Sequence, residues 1–341
     1  MSELRKDPVV GRWVIISSER GRRPSDFGPG PVQPKLTSCV FCAGHEDKTP
    51  PEIIAGRSPG SLPNTPGWSY RVVPNKFPAL RIEGELEASA EGLYDRMEGI
   101  GAHEVVIETP DHQASLATLS PDAVADVLLA YRDRVLDLKK DGRFQYILVF
   151  KNHGEAAGAS LEHSHSQLIA TPILPIMVTE ELTGSAEYYD RKERCVWCDI
   201  VQQERRDRRR LIEDHDGFVI VAPFAPRFPY EAWILPDRHR SAFEESEIDD
   251  LRSLAGVLQD FLRRMNRVLN DPPFNFMLHT APLHESALEH FHWHLEVIPK
   301  LTHVAGFEWG SGFFINPVAP EDAAMALRER PAAGVGFQTP C

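Results

Sequence analysis

The feature that most constrains this 341-residue chain is that it runs through one series of parts twice. In the first half the pair Cys39-Val40-Phe41-Cys42 precedes the apolar run His103-Glu104-Val105-Val106-Ile107, which leads into Pro110-Asp111-His112. A helical segment, the apolar run Phe144 to Phe150 and then His163-Ser164-His165 complete the series. The second half repeats it with Cys195-Val196-Trp197-Cys198, Ala232-Trp233-Ile234-Leu235, Pro236-Asp237-Arg238-His239, a second helical segment, Phe274 to Leu278 and His292-Trp293-His294. Repetition on this scale is duplication of a domain, not a short-period solenoid. Short strands, one helix per half and no Gly-rich fingerprint predict an α+β fold with antiparallel sheets. The expected domains are 1–176 and 177–330, followed by a loose tail over 331–341.

Local signals sharpen the elements. Ser120 reads as the N-cap of a helix with Pro121 in its first turn. Along it Val124, Val127, Leu128, Tyr131, Val135 and Leu138 recur on one face. In the second half Ser246 reads as the cap of a helix whose Leu251, Leu254, Leu258, Phe261, Leu262 and Met265 share a face. The Pro- and Gly-rich stretch 22–67 predicts loops, and Pro172 to Glu180 the joint between halves. Trp309 and Phe313 read as packing residues.

Charge excludes several classes of function. A net charge of −13 disfavours nonspecific binding of nucleic acid or an anionic membrane, since both need a basic surface. The cluster Arg205 to Arg210 is interrupted and flanked by acids and reads as a solvated helix end. No apolar run is long enough to span a bilayer, and Met1 to Lys6 lacks a signal-peptide core, so a cytoplasmic protein is expected. In that compartment two Cys-x2-Cys pairs are read as metal ligands before disulfides.

The histidines carry the chemistry. On an extended segment His163, His165 and Gln167 share a face, while Ser164 and Ser166 point away. The small-residue turn Gly158-Ala159-Ser160 precedes them, where backbone N–H groups can approach an anion. At neutral pH an imidazole is an available nucleophile and, once protonated, a good leaving group. Gln167 can donate to a phosphoryl oxygen without adding charge, and Ser160 with the backbone at Gly158 and Ala159 would stabilise charge growing on phosphate. Cys39, Cys42, His112 and His163 form a Cys2His2 set for a structural Zn(2+), with no position left for water. Cys195, Cys198 and His239 start a second zinc site. Its fourth ligand is His290 when the Leu-Glu-His triplets are matched, and His292 when the His-x-His pairs are matched.

The chain resembles the histidine-triad superfamily, in the branch of galactose-1-phosphate uridylyltransferase. The likeness runs from Leu4 to Arg330 and rests on His163-Ser164-His165-Ser166-Gln167, on Asp7-Pro8-Val9-Val10-Gly11-Arg12-Trp13-Val14-Ile15 and on Glu19-Arg20-Gly21-Arg22-Arg23-Pro24. It implies two tandem histidine-triad-like domains and a homodimer. It also implies ping-pong transfer, in which His165 takes the uridylyl group of UDP-glucose and passes it to galactose 1-phosphate. Arg20, Arg23, Asn75 and Asn152 would contact ribose or phosphates, and Phe307 with Glu308 the sugar. Partners are thus a nucleotide sugar and a sugar 1-phosphate. Ser164 stands where many members carry Pro. The segment Trp309 to Pro317 is closer to the relatives that act as ADP-glucose phosphorylases, transferring an adenylyl group to inorganic phosphate. Those relatives share the His-Ser-His-Ser-Gln form, and their second zinc uses a histidine that lines up with His292. ADP-glucose phosphorolysis is the alternative activity. Dinucleoside-polyphosphate phosphorolysis and a zinc-stabilised binding protein without turnover rank below both.

Overall fold

Runs such as Phe218-Val219-Ile220-Val221 have no polar face, so they are stable only where both sides of a sheet are covered. In the computed structural model, which describes residues 3–16, 39–285 and 287–328, that run is buried throughout. The first half contributes strands β1 (Glu3–Lys6), β2 (Trp13–Ile16), β3 (Ile54–Arg57), β4 (Trp68–Pro74), β5 (Ala88–Glu91), β6 (Tyr94–Met97) and β7 (Ala102–Ile107). Helix α1 (Pro121–Leu138), β8 (Tyr146–His153) and β9 (His165–Thr171) complete it. The second half begins with helices α2 (Ile176–Lys192) and α3 (Val196–Asp207). Strands β10 (Leu211–His215), β11 (Phe218–Val221) and β12 (Ala232–Pro236) precede α4 (Ile248–Leu269). Then come β13 (Phe274–His279), β14 (His294–Pro299), α5 (Gly306–Ser311), β15 (Phe314–Asn316) and α6 (Pro320–Arg328).

The duplication is visible in strand order. One ten-stranded sheet runs β10-β11-β12-β14-β13-β8-β9-β7-β4-β3, and every neighbouring pair in it is antiparallel. Read outward from its centre, the halves match strand for strand: β8 with β13, β9 with β14, β7 with β12, β4 with β11, β3 with β10. The α+β class with antiparallel sheets is therefore observed. The two sheets are joined edge to edge, with Asn152 opposite Asn275, so neither central strand is left as an open edge. One core unites the halves, because α1 and α4 pack side by side and their Tyr131, Leu258 and Phe261 are fully buried in it. Truncating Phe261 to Ala is worth about 3–5 kcal/mol on this packing.

Ser120 caps α1 as expected, its hydroxyl accepting from the Ala123 N–H at 3.2 Å. The second cap differs from expectation: Glu247, not Ser246, precedes α4. The Asp250 carboxylate there accepts the Glu247 N–H at 3.2 Å, which moves the start one residue on. The joint between halves is also shorter than 172–180, because Pro175 sets the backbone for α2 to begin at Ile176. Gly184 of α2 lets the segment around Val9 cross it; a Cβ there would lie 1.8 Å from the Val9 carbonyl. Strands β1, β2 and β15 form a small separate sheet. It is tied to α6 by Arg5, which meets both Glu321 oxygens at 3.0 Å. In the basic cluster Arg205 pairs with Asp214, and Arg210 with Glu204 and Glu321, while Arg206, Arg208 and Arg209 are exposed. No helix among the described residues is long and apolar enough to cross a membrane.

Candidate active site and metal centres

Strand β9 begins at His165, and its alternation sends Ser164 and Ser166 to the opposite face, as the period of two requires. Both hydroxyls donate to the buried Glu108 carboxylate, Ser164 at 2.6 Å, and Ser166 also meets the Tyr131 hydroxyl. Lys151 from β8 completes this knot, reaching Glu108 at 2.7 Å, Ser164 at 3.1 Å and the His165 carbonyl at 2.9 Å. Burial opposes the Glu108 charge, but the Lys151 ammonium and the hydroxyl donors outweigh it and hold its pKa below the usual value. Ser164, which departs from the resemblance's pattern, is thus part of the support behind the histidine strand. A charged residue after each apolar run, Glu108 after Ile107 and Lys151 after Phe150, was the available sequence signal.

On the site face the His165 Nδ1–H donates to the His163 carbonyl at 2.8 Å. That leaves Nε2 with a free lone pair. Burial, then the nearby Lys151 charge, lowers the His165 pKa, which keeps the ring neutral. Gln167 lies on the same face and is half-buried. Its Oε1 is 2.8 Å from His103 Nε2 on β7 and 3.4 Å from Asn75 Nδ2 at the end of β4. Asn152 on β8 stands at the level of His165, and its Oδ1 accepts from Asn275 of the second half at 2.8 Å. His103 and Asn275 were missed in the sequence because nothing local marks a contact between strands.

The other expected site residues are more dispersed. Gly158 has φ +88°, the left-handed turn that favours glycine. The N–H groups of Gly158 and Ala159 donate to the Glu155 and Gly154 carbonyls, at 2.8 and 3.1 Å, so the turn closes on itself. Ser160 is exposed beside it. Phe307 and Glu308 lie on α5, which rests on β15 of the small sheet. No contact brings them to His165 among the described residues; Glu308 instead accepts the Ala305 N–H at 3.1 Å. Trp309 corrects its expectation as a packing residue, standing 79% exposed at the tip of this short helix. Arg20, Arg23 and the tail 331–341 lie outside the described residues.

Two four-residue groups converge as metal-ligand sets, Cys39/Cys42/His112/His163 and Cys195/Cys198/His239/His292, each with its donor atoms within 4.8 Å of one another. Tetrahedral ligation by thiolate and imidazole puts S and N about 3.6 Å apart. In the first group Cys39–His163, Cys42–His163 and Cys42–His112 are separated by 3.6, 3.6 and 3.5 Å. In the second, Cys198 is 3.4 Å from His239 and 3.6 Å from His292. The donors therefore fit a four-coordinate cation. Burial, then the neighbouring Cys39, pushes the Cys42 thiol pKa up, a cost that a cation bound between the sulfurs would offset. The ligand rings are oriented from behind: His163 Nε2 donates to the Thr109 carbonyl at 2.7 Å and His239 Nε2 to that of Leu288 at 3.0 Å. Of the two open fourth ligands, His292 enters the second group, while His290 lends its carbonyl to the Cys195 thiol.

At the matching place in the second half, His294 starts β14 and its Nδ1 meets the His292 carbonyl at 3.2 Å. Around it the groups are charged. His279 lies 3.0 Å from Glu181 and 3.6 Å from Glu296, and Arg227 pairs with Glu296. Burial opposes the His279 charge, yet the two carboxylates outweigh it and push its pKa up to about 10. Burial and the His279 charge push His294 down to about 4.

This arrangement can be set against known proteins. The family profile described as galactose-1-phosphate uridyl transferase, N-terminal domain, matches residues 1–175, and its C-terminal counterpart matches residues 181–322. The chain belongs to the galactose-1-phosphate uridyl transferase family. It is a nucleotidyltransferase of that family, with the two-part mixed helix and antiparallel-sheet fold of its members. Over 336 residues, 96% of this chain and 92% of the relative, it is 42% identical to an ADP-glucose phosphorylase of Arabidopsis thaliana. A galactose-1-phosphate uridylyltransferase of Thermotoga maritima is 31% identical over 96% of this chain and 98% of its own length. A crystal structure of an ADP-glucose phosphorylase from Arabidopsis thaliana with bound ADP-glucose superposes with a TM-score of 0.83 at 38% identity, covering 97% of this chain and 99% of that one.

Proposed function

We propose that this family member transfers the adenylyl group of ADP-glucose to inorganic phosphate through a covalent intermediate on His165. The single observation that carries the transfer chemistry is a neutral His165 whose Nε2 lone pair is free, set among the uncharged amides of Gln167 and Asn152. In the first step Nε2 attacks the α-phosphorus, a P–N bond forms, the bond to the bridging oxygen breaks, and glucose 1-phosphate leaves. In the second an oxygen of inorganic phosphate attacks the same phosphorus, the P–N bond breaks, and ADP leaves with Nε2 freed. Gln167 donates to a phosphoryl oxygen, Asn75 and Asn152 contact ribose or phosphate, and Arg20 and Arg23 meet the phosphates. Ser160 and the turn at Gly158 and Ala159 border the same group. The adenylyl assignment is supported by the relative at 42% identity and the ADP-glucose-bound neighbour.

Both four-ligand sets suit Zn(2+), held by Cys39, Cys42, His112 and His163 and by Cys195, Cys198, His239 and His292. With no open position such an ion supplies cross-linking, and its place beside His163 stiffens the turn that presents His165. A cytoplasmic homodimer is part of this reading. Phe307 and Glu308 lie apart from His165 within one chain, so a second copy would bring them to the sugar.

A second reading, uridylyl transfer from UDP-glucose to galactose 1-phosphate, is supported by the family match and the Thermotoga relative. Initial rates with ADP-glucose and UDP-glucose, each offered phosphate or galactose 1-phosphate, separate the two. Phosphate-dependent ADP formation from ADP-glucose is expected. UDP-galactose as the faster product would replace the first reading with the second, and no turnover of either would reject both.

A further inference from the structure

We propose that His103 is a positioning residue that turns the Gln167 carboxamide so that its NH2, not its oxygen, faces the phosphoryl group on His165. The inference rests on the proposed role of His165 and extends it to a residue one strand away. Hydrogen-bond logic fixes the tautomer. The Ala79 backbone N–H points at His103 Nδ1 at 3.0 Å, and a backbone N–H can only donate. Nδ1 is therefore the bare nitrogen, and in the neutral ring the proton sits on Nε2. That Nε2–H lies 2.8 Å from the Gln167 side chain, so the atom it meets must be an acceptor, the carbonyl oxygen Oε1.

Asn75 reinforces the choice. Its Oδ1 accepts the Phe77 N–H at 2.9 Å, which turns its NH2 inward. From there Nδ2 lies 3.1 Å from His103 Nε2 and 3.4 Å from Gln167 Oε1. Because Nε2 already carries a hydrogen, the Asn75 amide can donate only to Oε1. Two donors thus converge on one oxygen, and reversing the amide would set its hydrogens against both. Sheet register makes the contact possible: Val105 sits opposite Gln167, and His103 lies two residues earlier on the same face of β7. With Oε1 held, the amide nitrogen is the end left to donate toward His165. An oxygen there would repel the phosphoryl oxygens.

Two measurements test this. In the unmodified protein, nitrogen-15 NMR of the His103 ring should show Nδ1 bare and Nε2 protonated; the opposite tautomer overturns the proposal whatever the enzyme does. In rapid-mixing assays of adduct formation on His165, Gln167→Ala should cost about 10²-fold, the scale for removing one donor to a developing charge. His103→Ala should cost up to the same factor, mainly in kcat and not in KM. The double variant should be no slower than Gln167→Ala within about threefold, because His103 acts only through that amide. Multiplying losses would overturn the proposal. Should the wild type form no adduct at all, the nucleotidyl-transfer reading falls, and the NMR result still decides how Gln167 is held.

Discussion

The two halves of the sheet place the same register positions to opposite use. On the His165 side of the first half lie Asn152, Gln167 and, beyond Gln167, His103, which are amides and an imidazole. At the matching positions around His294 the second half carries His279, Glu296 and Glu231. A phosphate ester needs donors without competing negative charge, and the first set provides them. In the second set Glu296 pairs with Arg227 and His279 instead. Burial and the neighbouring Glu296 outweigh Arg227 and push the Glu231 pKa up to about 8, which favours its neutral form. Trp197 also stacks on the His294 ring at 4.2 Å and covers it. One scaffold thus sets His165, the proposed nucleophile, among neutral neighbours and His294 among charged ones.

The comparison breaks most easily at the two histidines. His165→Asn should cut turnover by roughly 10⁴-fold or more and abolish the covalent nucleotidyl adduct, while His294→Asn keeps the adduct. Intact mass measured after mixing with ADP-glucose reads both, and an adduct that survives His165→Asn would reverse the assignment of the halves. The metal sets come next. Wild type should bind two zinc equivalents per chain by elemental analysis, and Cys39→Ser and Cys195→Ser one each. Apparent free energies for structural zinc are about 10–16 kcal/mol, so each loss should lower the unfolding midpoint. Cys39→Ser should slow turnover more, because only the first set includes His163, whose carbonyl orients His165.

Smaller effects sharpen the contrast. Glu296→Gln leaves Arg227 and His279 short of a buried partner and should cost about 3–5 kcal/mol in urea unfolding, with the adduct on His165 still forming. An unchanged midpoint would mean that the ion-pair knot contributes nothing. The smallest effect is on pH dependence. The folded pKa of His279 is raised above its ordinary value, so its contribution is complete below about pH 6.5 and is lost as pH rises through about 10. Urea midpoints of wild type should therefore fall across that window, and those of His279→Gln should fall less.

Signals that act over a few residues were legible before any fold was known. Ser120 and Pro121 marked the start of α1, and the Cys-x2-Cys pairs marked two ligand sets. The period of two sent Ser164 and Ser166 away from His165. The same locality explains what was misjudged, since Ser246 and Glu247 are adjacent candidates for one cap and only the Asp250 carboxylate chose between them. His290 and His292 were equally matched by pattern, because residues two apart in an extended chain share a face. The path of the chain into β14 separated them. Three-dimensional packing alone decided that the duplicated sheets fuse through β8 and β13, that Asn275 from one half holds Asn152 of the other, and that His103 meets Gln167. Those are contacts between segments far apart in the chain, and their partners depend on strand order and register, which no short stretch of residues encodes. Which chemical groups each half carries is written in the chain; which of them become neighbours, and so which histidine stands among uncharged groups, follows only from the packed fold.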